Sequence, residues 1–195
     1  MNYISWNCQG LGKPLTVQTL REVTRSHSPA FVFLSETHQS YHFVDKVRRQ
    51  FGYSKGFNVE PIETAGGLSL WWKPEFSVSI LDYSMHFVDT VVTKTGSSRF
   101  RITWLYGPPY FADKEKFWDS WNSKNWNDGT PWLVIGDLNE LISQHEKEGR
   151  ATWGLNRKHF LRCFQNTNKL IDIPRAEFHL GKEGGWCNCA ARKIG

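Results

Sequence analysis

The most informative stretch of this sequence is Trp132-Leu133-Val134-Ile135-Gly136-Asp137-Leu138-Asn139-Glu140. Its first half is typical of a buried strand, and the strand breaks at Gly136 with polar side chains beyond it. If the extended backbone persists past Gly136, Asp137 and Asn139 lie on the same side. A carboxylate and an amide in one cleft suit phosphodiester hydrolysis, in which one group holds a metal or an attacking water and the other donates to phosphate oxygens. The alternative is an ordinary turn, because Asp and Asn both bond their own backbone in turns.

Three other polar residues stand on or just after apolar strands. Glu36 follows Phe31–Ser35, and a carboxylate at a strand end suits Mg²⁺, which proteins usually hold by one or two carboxylates. Asn7 lies within the first strand and Tyr106 at the end of another. The alternatives are a solvated strand end for Glu36, a satisfied core amide for Asn7 and a half-buried aromatic for Tyr106.

The remaining hydrophobic pattern predicts many strands and few helices. Apolar or alternating runs predict strands at residues 3–8, 30–35, 68–72, 76–81, 87–92, 99–106 and 132–135. Helical spacing of apolar residues predicts four helices, at Leu15–Val23, Phe43–Phe51, Phe117–Trp121 and Phe160–Leu170. A ribbon of consecutive strands from about Tyr53 to Tyr106, flanked by strand and helix pairs, indicates mixed sheets covered by helices.

Length and composition narrow the class of protein. The 195 residues suit a single domain, and 39% hydrophobic with 22% charged residues excludes a disordered chain. No apolar run approaches the roughly 20 residues of a membrane span, and the net charge of +5 permits contact with a polyanion. Tyr3–Trp6 already reads as a strand with no leader before it, and the scattered cysteines match neither a zinc site nor a disulfide framework. We therefore expect an intracellular protein, nuclear or cytoplasmic and not secreted, with reduced thiols.

Five segments, taken in order, resemble the endonuclease/exonuclease/phosphatase superfamily. The residues Trp6-Asn7-Cys8-Gln9-Gly10 and Tyr106-Gly107-Pro108-Pro109 are most similar to the apurinic-type endonuclease domain of LINE-type retrotransposons. The resemblance covers nearly the whole chain. The segments are Trp6-Asn7-Cys8-Gln9-Gly10, Leu34-Ser35-Glu36-Thr37-His38, Gly66-Gly67-Leu68-Ser69-Leu70, Tyr106-Gly107-Pro108-Pro109 and Gly136-Asp137-Leu138-Asn139-Glu140.

The resemblance implies a fold, a reaction and a site. The fold would be a four-layer α/β sandwich, two packed mixed β-sheets covered by helices, and the reaction metal-dependent nicking of DNA. Glu36 would be the principal ligand of Mg²⁺, with Mn²⁺ as the other candidate ion, and Asn7 would lie near the metal and phosphate. Tyr106 would contact the scissile phosphate, Asp137 would orient or deprotonate the attacking water, and Asn139 would support Asp137.

The sequence also departs from the family pattern. An Arg-Leu-Asp-Arg-like strand and a terminal Ser-Asp-His are absent. We therefore expect residues 1–195 to be one domain that is incomplete at its C-terminus. The tail Ala190–Gly195 would add no strand, the last strands of the second sheet would be missing, and activity would be weak or absent. Most of the seven histidines are expected at the surface, with His38 a candidate neighbour of Glu36.

The basic residues do not decide which class of substrate the protein binds. A groove for backbone phosphates could be lined by Arg48, Arg49, Arg99, Arg101, Lys147, Arg150, Arg157, Lys158 and Arg162, although solvated faces explain them equally well. Trp71 and Trp72 are interpreted as core residues. Besides the nuclease, the alternatives are a phosphatase of the same superfamily and a non-catalytic remnant that binds nucleic acid.

Overall fold

The computed structural model describes residues 1–62, 66–94, 96, 99–124, 126, 128–140 and 160–172, and the backbone of 190–193. These residues contain all the predicted strands and helices and three further short strands. In chain order the elements are β1 (Tyr3–Asn7), α1 (Pro14–His27), β2 (Phe31–Ser35), α2 (Tyr41–Gln50), β3 (Lys55–Val59), β4 (Leu68–Trp72), β5 (Phe76–Ser84), β6 (Phe87–Lys94), β7 (Phe100–Tyr106), α3 (Phe111–Ser123), β8 (Trp132–Asp137), α4 (Phe160–Asn168), β9 (Ile171–Asp172) and β10 (Ala190–Lys193).

The strands form two mixed sheets. The first has the order β1-β2-β4-β3, with β1 and β2 parallel and the other neighbours antiparallel. The second has the order β5-β6-β7-β8-β10-β9, with β7 and β8 parallel and the other neighbours antiparallel. The predicted ribbon is therefore divided, because β3 and β4 complete the first sheet whereas β5, β6 and β7 begin the second.

Three apolar interfaces join the layers. Along β2, Phe33 faces Trp104 of the second sheet, whereas Val32 packs with Leu20 of α1 and Val44 of α2. Alternate residues of a strand point to opposite faces, so a strand that is buried along its whole length must be covered on both sides. On the far side of the second sheet, residues of α3 and α4 pack over β7 and β8. The order helix, sheet, sheet, helix confirms the predicted four-layer α/β sandwich.

The tail differs from the sequence prediction. Ala190–Lys193 form β10, which pairs antiparallel with β8 and with β9. The prediction that this stretch adds no strand is therefore wrong. Strand pairing uses backbone groups that every residue supplies, so a strand without an apolar run leaves little trace in the sequence.

Two smaller expectations are also settled. Trp71 and Trp72 are buried in the apolar clusters of the first sheet, which confirms the interpretation as core residues. Cys8 and Cys163 carry free thiols. Within the described ranges, no helix is long and apolar enough to cross a membrane.

Candidate active site

Four of the five predicted site residues meet where two pairs of parallel strands end. Asn7 is the last residue of β1, and Glu36 directly follows its neighbour β2. In the other sheet, Tyr106 ends β7 and Asp137 ends β8, and these two residues are register partners. Because parallel strands end at the same edge of a sheet, packing the two sheets face to face brings the four side chains together.

A hydrogen-bonded network joins these side chains across the two sheets. The Asn7 amide Nδ2 donates to Glu36 Oε1 at 2.8 Å and to Asp137 Oδ2 at 3.1 Å. The Tyr106 hydroxyl donates to the same Glu36 Oε1 at 2.6 Å. Asn7 therefore links a carboxylate of the first sheet to one of the second, and both donors to Glu36 are electrically neutral.

The backbone around Glu36 holds it in an unusual conformation. Glu36 has a φ of 53°, in the left-handed region that non-glycine residues rarely adopt. Its carbonyl accepts from Gly10 N at 2.8 Å, and the next residue, Thr37, donates its N–H to Gly67 O at 3.1 Å. A side chain at Gly67 would place its Cβ 2.4 Å from Thr37 Oγ1. Of the two adjacent glycines, Gly67 is thus the one needed for close approach to the loop that carries Glu36.

Two further glycines let β7 and β8 end tightly against each other. A Cβ at Gly136 would lie 1.7 Å from the Leu105 carbonyl oxygen, and one at Gly107 would lie 2.0 Å from that of Leu138. Both distances are far below van der Waals contact with rigid backbone, so only glycine fits at either position. The close backbone contacts at Gly107 and Gly136 therefore hold Tyr106 and Asp137 next to each other.

The electrostatics of the site favour a neutral phenol and disfavour the Asp137 charge. Burial raises the pKa of the Asp137 carboxyl, and the nearby Glu36 charge raises it further, whereas hydrogen bonds from Asn7 and the Asn139 backbone oppose the shift. Burial and the hydrogen bond to Glu36 also raise the pKa of Tyr106 far above its usual range. Tyr106 is therefore a hydrogen-bond donor at every physiological pH.

Asn139 departs from its predicted arrangement. Its φ of 48° shows that the extended backbone does not persist past Gly136. The segment turns instead, with Asp137 Oδ1 accepting from Asn139 N at 3.0 Å, which was the alternative considered from the sequence. The Asn139 side chain donates to the Gly107 carbonyl at 2.7 Å, so it braces the turn beside Asp137.

Sequence reasoning missed two residues around this turn. Lys114 of α3 is buried, donates to the Asn139 carbonyl and lies 3.2 Å from Glu140 Oε2. The available signal was its position on one helical face with Trp118 and Trp121. His86 stacks on the Tyr106 ring and donates from Nδ1 to the Tyr106 carbonyl at 3.1 Å, so it is not the simple surface histidine expected. Burial lowers the pKa of His86.

The other residues that were predicted near the site agree with the prediction only in part. His38 Nε2 lies 4.0 Å from Glu36 Oε2, in agreement with its expected place beside that residue. Arg48 and Arg101 are wrong as candidates for a phosphate groove, because Arg48 binds Asp45 and the Tyr53 carbonyl and Arg101 binds Asp89. Arg49, Arg99 and Arg162 are exposed. Lys147, Arg150, Arg157, Lys158, His145, His159 and His179 lie outside the described residues.

Glu36 and Asp137 form a donor set that suits a divalent cation. Among the residues that the structure describes, no group of three or more His, Cys, Asp or Glu side chains is placed to hold a metal. Two carboxylates joined by an amide are nevertheless sufficient for Mg²⁺, which keeps several waters and takes one or two carboxylate ligands. The two acidic groups receive only neutral donors from Asn7, Tyr106 and the Asn139 backbone, so a cation between them would balance the charge.

Comparisons with known proteins agree on the fold. An AP endonuclease from Archaeoglobus fulgidus superposes with a TM-score of 0.67 at 13% identity, covering 98% of this chain and 86% of that one. The AP endonuclease LMAP from Leishmania major gives 0.64 at 15% identity, covering 98% and 78%. The human Nocturnin catalytic domain gives 0.59 at 12% identity, covering 88% and 71%. Among curated proteins, no sequence matches.

By sequence, residues 4–186 match the family described as the Endonuclease/Exonuclease/phosphatase family. That match spans β1 to the segment before β10 and so includes Asn7, Glu36, Tyr106 and Asp137. The sandwich is also the fold of the superposed AP endonucleases. The chain belongs to the endonuclease/exonuclease/phosphatase family.

Proposed function

We propose that this chain is a divalent-metal-dependent phosphodiesterase that nicks DNA, of the kind found in LINE-type retrotransposons. The observation that supports the proposal best is the network in which Asn7 bonds both Glu36 and Asp137 while Tyr106 bonds Glu36. A buried amide, a phenol whose pKa is raised so that it donates a hydrogen bond, and two carboxylates are groups that suit phosphodiester hydrolysis at one place.

Each side chain has a distinct role in this proposal. Glu36 is the principal ligand of Mg²⁺ or Mn²⁺, and the bound ion supplies positive charge that stabilises the transition state at phosphorus. Asp137 accepts a proton from the attacking water or orients that water, and its raised pKa brings it closer to the range in which a carboxylate is an effective base. Tyr106 donates to a phosphate oxygen, and Asn7 orients both carboxylates.

DNA is the proposed substrate for three reasons. The five ordered segments are most similar to the endonuclease domain of LINE-type elements, and the net charge of +5 favours a polyanion. Two of the superposed structures are AP endonucleases. Action on DNA would place the protein in the nucleus or the cytoplasm.

The test is nicking of supercoiled plasmid by the purified chain with Mg²⁺ or with EDTA. We expect metal-dependent conversion to open circles, a loss of at least roughly 1,000-fold in the rate for Glu36→Gln, and the wild-type rate for Glu75→Gln. Glu75 is a matched control because it is an exposed glutamate that precedes β5, away from the strand ends that form the site. Equal nicking by wild type and Glu36→Gln would contradict the site assignment.

The expected rate is low. The sequence has no Ser-Asp-His triplet, which in the family places a histidine beside the phosphate. Of the described histidines, His86 bonds the backbone of Tyr106 and His38 lies 4.0 Å from Glu36, and neither is bonded to an aspartate as in that triplet. Loss of one member of a catalytic set costs several orders of magnitude. Phosphate release from small esters without nicking would favour a phosphatase, and salt-sensitive DNA binding without either reaction would favour a non-catalytic remnant.

A further inference from the structure

Lys114 and Glu140 form a buried ion pair beside the turn that carries Asp137 and Asn139. Lys114 belongs to α3, where it shares the buried face with Trp118 and Trp121. Its side chain is 7% exposed and that of Glu140 is 2% exposed, and their charged atoms are 3.2 Å apart. Lysine and glutamate are among the residues least often fully buried, so the pair needs an explanation.

Stability alone does not explain why a fold would keep this pair. Removing two charges from water costs several kcal/mol per ion, and apolar residues of similar size at such sites are often neutral or stabilising. The neighbours on the α3 face are tryptophans, so the surroundings would accept an apolar side chain at position 114. A role in arranging neighbouring groups is a second reason for a fold to keep such a pair.

The arrangement in question is the turn that carries Asp137 and Asn139. Lys114 donates to the Asn139 carbonyl, Asn139 N donates to Asp137 Oδ1, and the Asn139 amide donates to the Gly107 carbonyl. Asn139 has a left-handed φ of 48°, a conformation that costs free energy and persists only where neighbouring groups hold it. Of those neighbouring groups, Lys114 brings a full positive charge to the turn.

We propose that Lys114 is a positioning residue, which, held by Glu140, fixes the Asp137–Asn139 turn in the geometry that the active site needs. The chain of contacts runs from Glu140 through Lys114 to the Asn139 carbonyl, and from Asn139 N to the Asp137 carboxylate. This inference rests on the proposed function, because it assigns the turn a role in phosphodiester cleavage. A misplacement of about 1 Å in such a group can lower the rate by roughly 100-fold.

The test compares variants that separate charge from packing. Lys114→Met should lower kcat for Mg²⁺-dependent nicking by roughly 10- to 100-fold with KM changed by less than about threefold, because the turn positions Asp137 and does not bind DNA itself. Lys114→Arg keeps the charge and donors that can reach the Asn139 carbonyl, so it should lose less activity than Lys114→Met. Lys116→Met, an exposed lysine on the same helix, is the control and should match wild type.

A double variant distinguishes positioning from simple stabilisation. Lys114→Met with Glu140→Leu removes both charges, so its melting temperature should return close to that of wild type while kcat stays at least about tenfold low. Recovery of activity together with stability would overturn the proposal, because the pair would then be only structural. A KM effect without a kcat effect would overturn it equally.

A second measurement needs no catalysis. The Asn139 side-chain amide, held by the Gly107 carbonyl, should exchange its protons slowly, and its NMR signals can be assigned by their loss in Asn139→Asp. In the double variant we expect exchange to be faster by at least about tenfold, whereas unchanged exchange would overturn the inference. If the wild-type chain does not nick DNA, the proposed function fails, but this readout still decides whether Lys114 holds the turn.

Discussion

Two clusters of charged side chains differ in how their carboxylates are paired, one within the second sheet and one where strands of both sheets end. In the first cluster, Asp89 of β6 is 1% exposed and accepts hydrogen bonds from the Arg101 guanidinium and from Thr103 Oγ1. The Arg101 guanidinium also lies over the rings of Trp126 and Trp132. At the strand ends, the groups described as hydrogen-bond donors to Asp137 and Glu36 are all neutral, and the nearest basic side chain to Glu36, His38, is 4.0 Å away. The Asp89 carboxylate is therefore paired directly with a guanidinium, whereas Glu36 and Asp137 share a neutral amide.

The difference separates a group that stabilises the fold from groups that await a ligand. A carboxylate paired with a guanidinium needs nothing further, so the Asp89 cluster has no reason to bind a cation. Two carboxylates that share one amide donor repel each other, and this repulsion contributes to the raised pKa of Asp137. Two neighbouring carboxylates without a bonded cationic partner, beside a phenol whose pKa is raised, support the proposal that the second cluster is the chemical site.

The largest expected effect comes from unbalancing the Asp89 cluster. Asp89→Asn leaves the Arg101 charge buried without its partner, which should lower the free energy of unfolding by about 3–5 kcal/mol. For a chain of this size the melting temperature would fall by roughly 10 °C, as measured by differential scanning calorimetry. Below that temperature the folded variant should nick plasmid at the wild-type rate.

The control for that prediction is a surface ion pair. Asp82 and Lys124 are 2.8 Å apart, but the Asp82 side chain is 55% exposed. Asp82→Asn should therefore lower stability by less than about 1 kcal/mol. Equal losses in the two variants would show that the Asp89 cluster is no more important to the fold than a surface pair.

We expect Mg²⁺ to stabilise the folded protein only through the cluster that contains Glu36 and Asp137. An ion that binds the folded state stabilises it, by about 2.7 kcal/mol at 100 times its dissociation constant. We expect Mg²⁺ to raise the melting temperature of wild type and of Asp82→Asn, but not that of Glu36→Gln, in thermal unfolding with and without EDTA. The same shift in Glu36→Gln would mean that Mg²⁺ binds elsewhere.

The sequence predicted which polar residues meet at the strand ends better than it predicted how the strands divide between the two sheets. Asn7, Glu36, Tyr106 and Asp137 were found because polar residues at the ends of apolar strands stand out, and a parallel pair of strands brings its ends together whatever surrounds it. The change of sheet between β4 and β5 could not be predicted. Period-two alternation identifies a strand, but does not specify its partner.

Contacts between residues distant in sequence explain the other misses. Asn139 was expected in an extended segment, but the Lys114 ammonium and the Gly107 carbonyl hold it in a turn. Arg101 looks like a surface residue in the sequence, and only the fold shows that Asp89 on the neighbouring strand neutralises it. Arg48 is a different case, because its partner Asp45 lies three residues earlier on α2, a spacing at which helical side chains meet.

Removal of one neutral donor should affect rate and not stability. Tyr106→Phe keeps the ring that stacks on His86 but removes the hydroxyl that donates to Glu36, and we expect kcat to fall by roughly 10- to 1,000-fold. Tyr53→Phe removes a buried hydroxyl that donates to the Pro29 carbonyl, and should lower stability by about 1 kcal/mol with no change in kcat. Steady-state nicking and urea unfolding of both variants test this, and equal kcat values would contradict it.

The smallest effect concerns the stability cost of the Asp137 charge. Because the folded state raises its pKa, the ionised carboxylate destabilises the fold, and this cost appears as the pH rises from the unfolded value of 3.8 through the folded one. Asp137→Asn carries no charge, so without divalent metal it should be more stable than wild type at pH 7, and the difference should shrink as the pH falls below 4. Urea unfolding in EDTA across this range measures both. A difference that grew toward acid would mean that Asp137 is stabilised as an anion, like Asp89, and the contrast between the two clusters would fail.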